Sequence, residues 1–149
     1  MSRVDLTILD GGSAPEVVAD SLVDAVGDAL RALEVGPDAH LSLVLADDGL
    51  LHDLNRDHRG IDKPTDVLSF PFDRRHVPDS EGAGYLGDVV ISVPYARRSA
   101  AASGCSLESE LRLLAVHGLL HLIGHEDESE PGAARMREIE VTLGVREDA

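Results

Sequence analysis

The segment HGLLHLIGHEDE, residues 117–128, concentrates the side chains best suited to chemistry. His117 and His121 are four apart, so on a helix both imidazoles project from one face and can grip a single ion. Gly124 follows, and glycine enters a left-handed turn without steric cost. Such a turn brings a residue just beyond it back over the two rings, the candidates being His125, Glu126, Asp127 and Glu128. Imidazole nitrogens and carboxylate oxygens bind Zn²⁺ at about 2.0–2.2 Å, and three protein donors with an open fourth position form the catalytic arrangement. The bland alternative is a pair of core histidines satisfied by hydrogen bonds. A same-face pair followed by a glycine turn and an acidic cluster favours the metal. The acids have a bland reading too, a solvated helix cap, which suits Glu128 and Glu130. A peptidase is disfavoured: zinc proteases place a Glu general base directly after the first His, and Gly118 stands there.

The elements that must carry these residues are legible from periodicity. Val4 to Leu9 alternates as a strand. Gly11-Gly12 breaks it, Ser13 is placed to cap a helix, and Val17, Val18, Leu22, Val23, Val26, Leu30 and Leu33 recur at helical spacing up to Gly36-Pro37. Leu41 to Leu45 reads as a second strand, and Asp47 or Asp48 caps a short helix to about residue 56. Residues 56–65 are polar with Gly and Pro, which predicts a loop. Val67 to Phe72 is a third strand, 73–84 a second polar loop, and Tyr85 to Val93 a fourth strand. Pro94 opens a helix to about Ser103, and Leu107 to Ile123 reads as an amphipathic helix with Leu107, Leu111, Leu114 and Leu120 near one face. A last helix spans roughly 129–143. The expectation is one α+β domain over 1–149, a small mixed four-stranded sheet with helices packed on it, one of them a zincin-like metal helix.

Composition narrows the function classes. A chain of 149 residues with 43% apolar and 28% charged side chains can bury a core unaided. With no Trp, two Tyr and two Phe, it lacks the aromatic platforms of a base-stacking binder. One cysteine, Cys105, excludes an internal disulfide and fits a cytoplasmic location. No run is apolar enough for a signal peptide or membrane span. The net charge of −15 repels nucleic acid at long range. The acids are scattered rather than blocked, which favours a proteome-wide habit such as adaptation to salt over a basic partner.

Together with LNRDHRGIDKPTDVLSFPF (54–72) and YLGDVVIS (85–92), the metal segment closely resembles the YbeY family of bacterial endoribonucleases. The resemblance implies a zinc protein, one ion per chain, acting on ribosomal RNA: maturation of the small-subunit 3′ end and ribosome quality control. Ribosomal RNA, and ribosomal proteins beside it, are the implied partners. Carried over, the family's first two histidine ligands fall on His117 and His121, and its motif arginine on Arg59. The third histidine's place, six residues after the second, holds Asp127. A carboxylate there cancels one unit of the metal's charge and makes a bound water less acidic. A tighter turn would make His125 the third ligand instead.

Arg59 also stands out by its own chemistry. It lies near Lys63, the one lysine of the chain. A guanidinium fork binds phosphate bidentately and lysine adds a compact charge. Between 54 and 75, Arg56, Arg59, Lys63, Arg74 and Arg75 face four aspartates, so this stretch is nearly neutral in an acidic chain and suits an approaching RNA strand. The alternative role is an ion pair with a nearby Asp that stiffens the loop. Thr65, Asp66 and Ser69 are expected to order the start of the third strand. The implied mechanism is metal-assisted phosphodiester cleavage with Arg59 neutralising charge on the phosphate. His58, His125 and Glu126 lie in the right segments for a general base. Two other functions compete: a ribosome-assembly factor with a closed structural metal, and a hydrolase acting on another substrate such as peptide.

Overall fold

Alternation along HLSLVLA makes the second strand the spine of the sheet: Leu41, Leu43 and Leu45 are fully buried on one face, and Ala46 is buried on the other. A computed structural model describes residues 3–73 and 84–147. Its strands are β1 (Val4–Ile8), β2 (His40–Ala46), β3 (Val67–Pro71) and β4 (Tyr85–Ser92). Its helices are α1 (Glu16–Ala32), α2 (Asp48–Arg59), α3 (Val93–Ser103), α4 (Leu107–Leu122) and α5 (Glu130–Thr142). The sheet order is β1-β2-β4-β3. β1, β2 and β4 are parallel, and β3 runs antiparallel along β4 with Ser69 opposite Val89. The fold is the α+β arrangement expected, with a mixed four-stranded sheet. No described helix is long and apolar enough to cross a membrane. The polar loop expected at 73–84, with Arg74 and Arg75, lies outside the described residues except at its ends.

Helices cover both faces. Leu22, Val26 and Leu30 of α1 and Leu111, Ala115 and Leu119 of α4 pack on Leu43, Leu45, Val89 and Ile91. On the opposite face Leu51 of α2 meets Leu68 and Val90. Burying a Leu side chain contributes about 1.5–3 kcal/mol, so the larger cluster dominates stability.

Three local expectations are corrected. Ser13 does not cap α1: Pro15 is the extended residue before the helix and its carbonyl accepts from Ala19 N, which leaves Ser13 two residues outside. The loop expected from residue 56 begins later, because Arg56, Asp57, His58 and Arg59 continue α2 until Gly60 turns left-handed at φ 72°. Basic side chains are favoured in that last turn by the helix dipole. Arg59 is therefore on a helix end, not in a loop. Third, α4 is not amphipathic in the simple sense. Leu111, Leu114, Ala115, Val116, Gly118, Leu119 and Leu120 are all buried, because α1, α3, α5 and the sheet pack around it. Of the two acids after β2, Asp47 is the cap, accepting from Leu50 N at 3.0 Å.

Helix α4 approaches the sheet tightly at Gly118. A Cβ there would lie 2.4 Å from Val89 Cγ1, and the Gly118 carbonyl accepts from Ser69 Oγ at 2.9 Å. Gly118→Ala gains helix propensity of up to about 1 kcal/mol but overpacks a filled contact at about 1–3 kcal/mol. The expected result is a lower midpoint of denaturant unfolding, and an unchanged or raised midpoint would contradict the close packing.

Candidate metal centre and its cleft

Helix α4 sets two donors and its end supplies the third. His117 and His121 lie one turn apart with their Nε2 atoms 3.2 Å from each other. At the helix terminus Gly124 N donates to the His121 carbonyl and His125 N to the Leu120 carbonyl, with Gly124 at φ 105°. This is the paired bonding of a Schellman turn, which needs a left-handed residue at that place. The reversal carries Asp127 back over the rings. Asp127 Oδ2 lies 3.3 Å from His117 Nε2 and 3.6 Å from His121 Nε2. Among the described residues, these three form a group able to hold a metal ion.

The remaining ring nitrogens are fixed from behind. His117 Nδ1 faces Glu140 Oε2 at 2.7 Å, and His121 Nδ1 faces the His125 carbonyl at 3.1 Å. With a proton on each Nδ1, both Nε2 lone pairs point at Asp127, the orientation a metal-binding histidine needs. The donors present thus fit a divalent cation, and the nitrogen-rich set suits zinc over magnesium. His125 enters this arrangement through its backbone, not its ring. Glu126 accepts from Ser129 N and Oγ at the start of α5, and it does not line the cleft.

Glu140 and Arg146 were not singled out by sequence. Glu140 is fully buried, and its second oxygen accepts from Arg146 Nε at 2.9 Å. The available signal was a carboxylate on the apolar stripe of α5, beside Met136, Ile139 and Leu143 at helical spacing. Burial opposes charge on His117. The Glu140 hydrogen bond and charge, with Asp127 and Asp66, outweigh it and raise the imidazole above its ordinary 6.5. Burial likewise opposes ionisation of Glu140, but His117 and Arg146 win and hold the carboxyl below its ordinary value. In metal-free protein the pair therefore stabilises fully below the ordinary imidazole pKa. That contribution is lost as pH rises through the raised His117 value, and on the acid side as pH falls through the depressed Glu140 value. In chelator, the melting-temperature advantage of wild type over His117→Gln is expected to shrink as pH rises from below the ordinary imidazole pKa through the raised His117 value. A constant or growing advantage would contradict it.

The three donors open into a cleft of about 400 Å³ lined also by Arg59, Asp66, Ser69 and Glu128. Arg59 reaches it from the end of α2, its Nη1 3.5 Å from Asn55 Oδ1. No ion pair to Arg59 is present among the described residues. Buried Asn55 meanwhile donates to the Lys63 carbonyl at 2.9 Å and braces the 60–65 turn. Lys63 is exposed and does not line the cleft. His58 packs edge-on against Phe70, with ring centroids 4.9 Å apart, and does not line it either. Asp66 Oδ1 accepts from Val67 N at 2.8 Å, ordering the start of β3 as expected. A larger hollow of about 550 Å³, between the loop after β1 and α3, offers Arg97 and Arg98 but no imidazole or carboxylate. The smaller cleft holds the chemistry.

Residues 13–145 match the family model described as endoribonuclease YbeY. The chain belongs to the YbeY family. An endoribonuclease YbeY from Pelotomaculum thermopropionicum is 44% identical over 129 residues, covering 85% of each chain. Another, from Moorella thermoacetica, is 44% identical over 133 residues, covering 84% of this chain and 85% of its own. A Thermotoga maritima protein solved in solution shares the fold, with a TM-score of 0.60 over 95% of this chain and 89% of its own at 24% identity. Within this YbeY-family chain, a His-His-Asp group occupies the end of the helix that the HGLLHLIG stretch builds.

Proposed function

We propose that this chain is a zinc-dependent endoribonuclease, one domain over residues 1–149, that processes ribosomal RNA by metal-assisted phosphodiester cleavage. Maturation of the small-subunit 3′ end and ribosome quality control are the proposed roles, which place its work in the bacterial cytoplasm beside ribosomal proteins. The observation that carries this reading is one cleft shared by three converging metal donors and an arginine. His117, His121 and Asp127 would hold the ion, with Nδ1 of each imidazole pinned so that its Nε2 faces inward. When bound, the ion supplies a Lewis acid for a phosphoryl oxygen. Arg59 offers a fixed fork of donors to the non-bridging oxygens, where charge grows as the bond breaks. Lys63, on the outer side of the same turn, adds charge to the path of the RNA strand rather than to the reacting phosphate.

Two geometric points favour this over the competing functions. Asp127 is 44% exposed at the mouth of the cleft, so substrate can reach the donors, unlike a closed structural site. Position 118, where a protease carries its general base, holds a glycine packed so tightly on Val89 and Ser69 that no side chain fits there. The test is metal analysis of protein purified without chelator, with cleavage of a structured ribosomal RNA fragment at low and high salt. About one zinc per chain, cleavage abolished by chelator and restored by zinc is the expected result. Stoichiometric zinc without cleavage at any salt would sink the enzyme reading and support an assembly factor.

A further inference from the structure

A carboxylate in an apolar interior is costly unless it is fully paired, and replacing such a pair by well-packed apolar residues is often neutral or stabilising. Glu140 is 0% exposed and lies on the α5 stripe between Ile139 and Leu143, where leucine or methionine would serve the core. Its two oxygens are both engaged, Oε2 with His117 Nδ1 at 2.7 Å and Oε1 with Arg146 Nε at 2.9 Å. The arginine is delivered by the end of α5: Gly144 turns left-handed at φ 77°, and Val145 N and Arg146 N both donate to the Glu140 carbonyl. Val145 is buried in the main core, which anchors the turn. A charged pair is thus built from the far end of the chain onto the back of one imidazole.

The geometry points to Glu140 as the positioning residue of the metal centre, with Arg146 holding it in place. This deepens the metal reading above and rests on it. Glu140 fixes the His117 tautomer, with the proton on Nδ1 and the lone pair of Nε2 aimed at the space shared with His121 and Asp127. The two imidazoles are held unequally. His121 donates to a backbone carbonyl, a neutral acceptor. His117 donates to a carboxylate, which polarises its ring and makes Nε2 the stronger donor. Arg146 balances the carboxylate's charge without competing for the oxygen that His117 uses.

The test compares Glu140→Leu and Glu140→Gln with wild type in the full chain, using Zn²⁺ itself in competition with a chromophoric chelator. Circular dichroism in chelator reports metal-free folding. Glu140→Leu is expected to fold and to bind zinc about 10–100-fold more weakly. Glu140→Gln still offers an oxygen to His117 Nδ1 and is expected to recover most of that loss. A structural role alone would not separate the two variants in zinc affinity. Zinc bound by Glu140→Leu as tightly as by wild type would overturn the proposal while leaving the metal reading intact. Absence of zinc from the wild type would overturn both. Long-range ¹H–¹⁵N spectra of zinc-loaded wild type test the same point without any variant. His117 protonated at Nδ1 with a slowly exchanging proton is expected, and an unprotonated Nδ1 would overturn the assignment.

Discussion

Asp127→Ala protein is expected to lose its zinc and with it cleavage of ribosomal RNA, whereas His125→Ala keeps both. The contrast follows from which atoms each residue contributes. Asp127 Oδ2 faces both Nε2 atoms, at 3.3 and 3.6 Å, so its loss leaves only two donors in the cleft. His125 serves the centre through its carbonyl, which alanine preserves. Loss of an outer partner alone weakens metal binding about 10–100-fold, and loss of a direct donor is expected to exceed that. Asp127→His puts imidazole in the same place and is expected to retain one zinc. Equal zinc content in Asp127→Ala and wild type would remove Asp127 from the centre, and zinc loss in His125→Ala alone would transfer its role there.

Arg59→Ala is expected to keep full zinc content and lower kcat on ribosomal RNA by about 10²–10³-fold, the usual effect of deleting one fixed donor to developing charge. Lysine at 59 is expected to restore little, because a point charge does not reproduce two parallel donors. Lys63→Ala, by contrast, is expected to weaken RNA binding modestly and with a reduced salt slope, since Lys63 stands outside the cleft. Metal analysis with kcat and KM measured separately decides this. Unchanged kcat in Arg59→Ala would remove the arginine from the reaction.

Much of the centre could be read from the chain because its donors are local. Four-residue spacing, a glycine stop and an acid six residues after His121 all fall within 117–127, and helix geometry alone brings them together. The element order and the sheet composition were legible for the same reason, since strand alternation and helical spacing are short-range signals. What failed was long-range or marginal. Glu140 belongs to the centre only because α5 packs on α4, which no spacing rule reveals. The helical last turn at 56–59 was read as loop because its residues are polar, yet polar residues suit an exposed helix end closed by Gly60. The all-round burial of α4 depends on how many neighbours surround it. The net charge of −15 says nothing of the site, whose local balance is set by a few residues around the cleft.

The shortness of the stretch from His117 to Asp127 has a thermodynamic consequence for the whole chain. All three donors stay within eleven consecutive residues when the protein unfolds, so the denatured chain retains some affinity for zinc. The gain in stability on adding metal depends on the ratio of affinities for native and unfolded forms, so it falls short of what native affinity alone would give. Only the native state adds Glu140 from the distant helix and presents both imidazoles already oriented. A rise in melting temperature on adding zinc would therefore report chiefly the preorganisation of the proposed centre, not the number of its ligands.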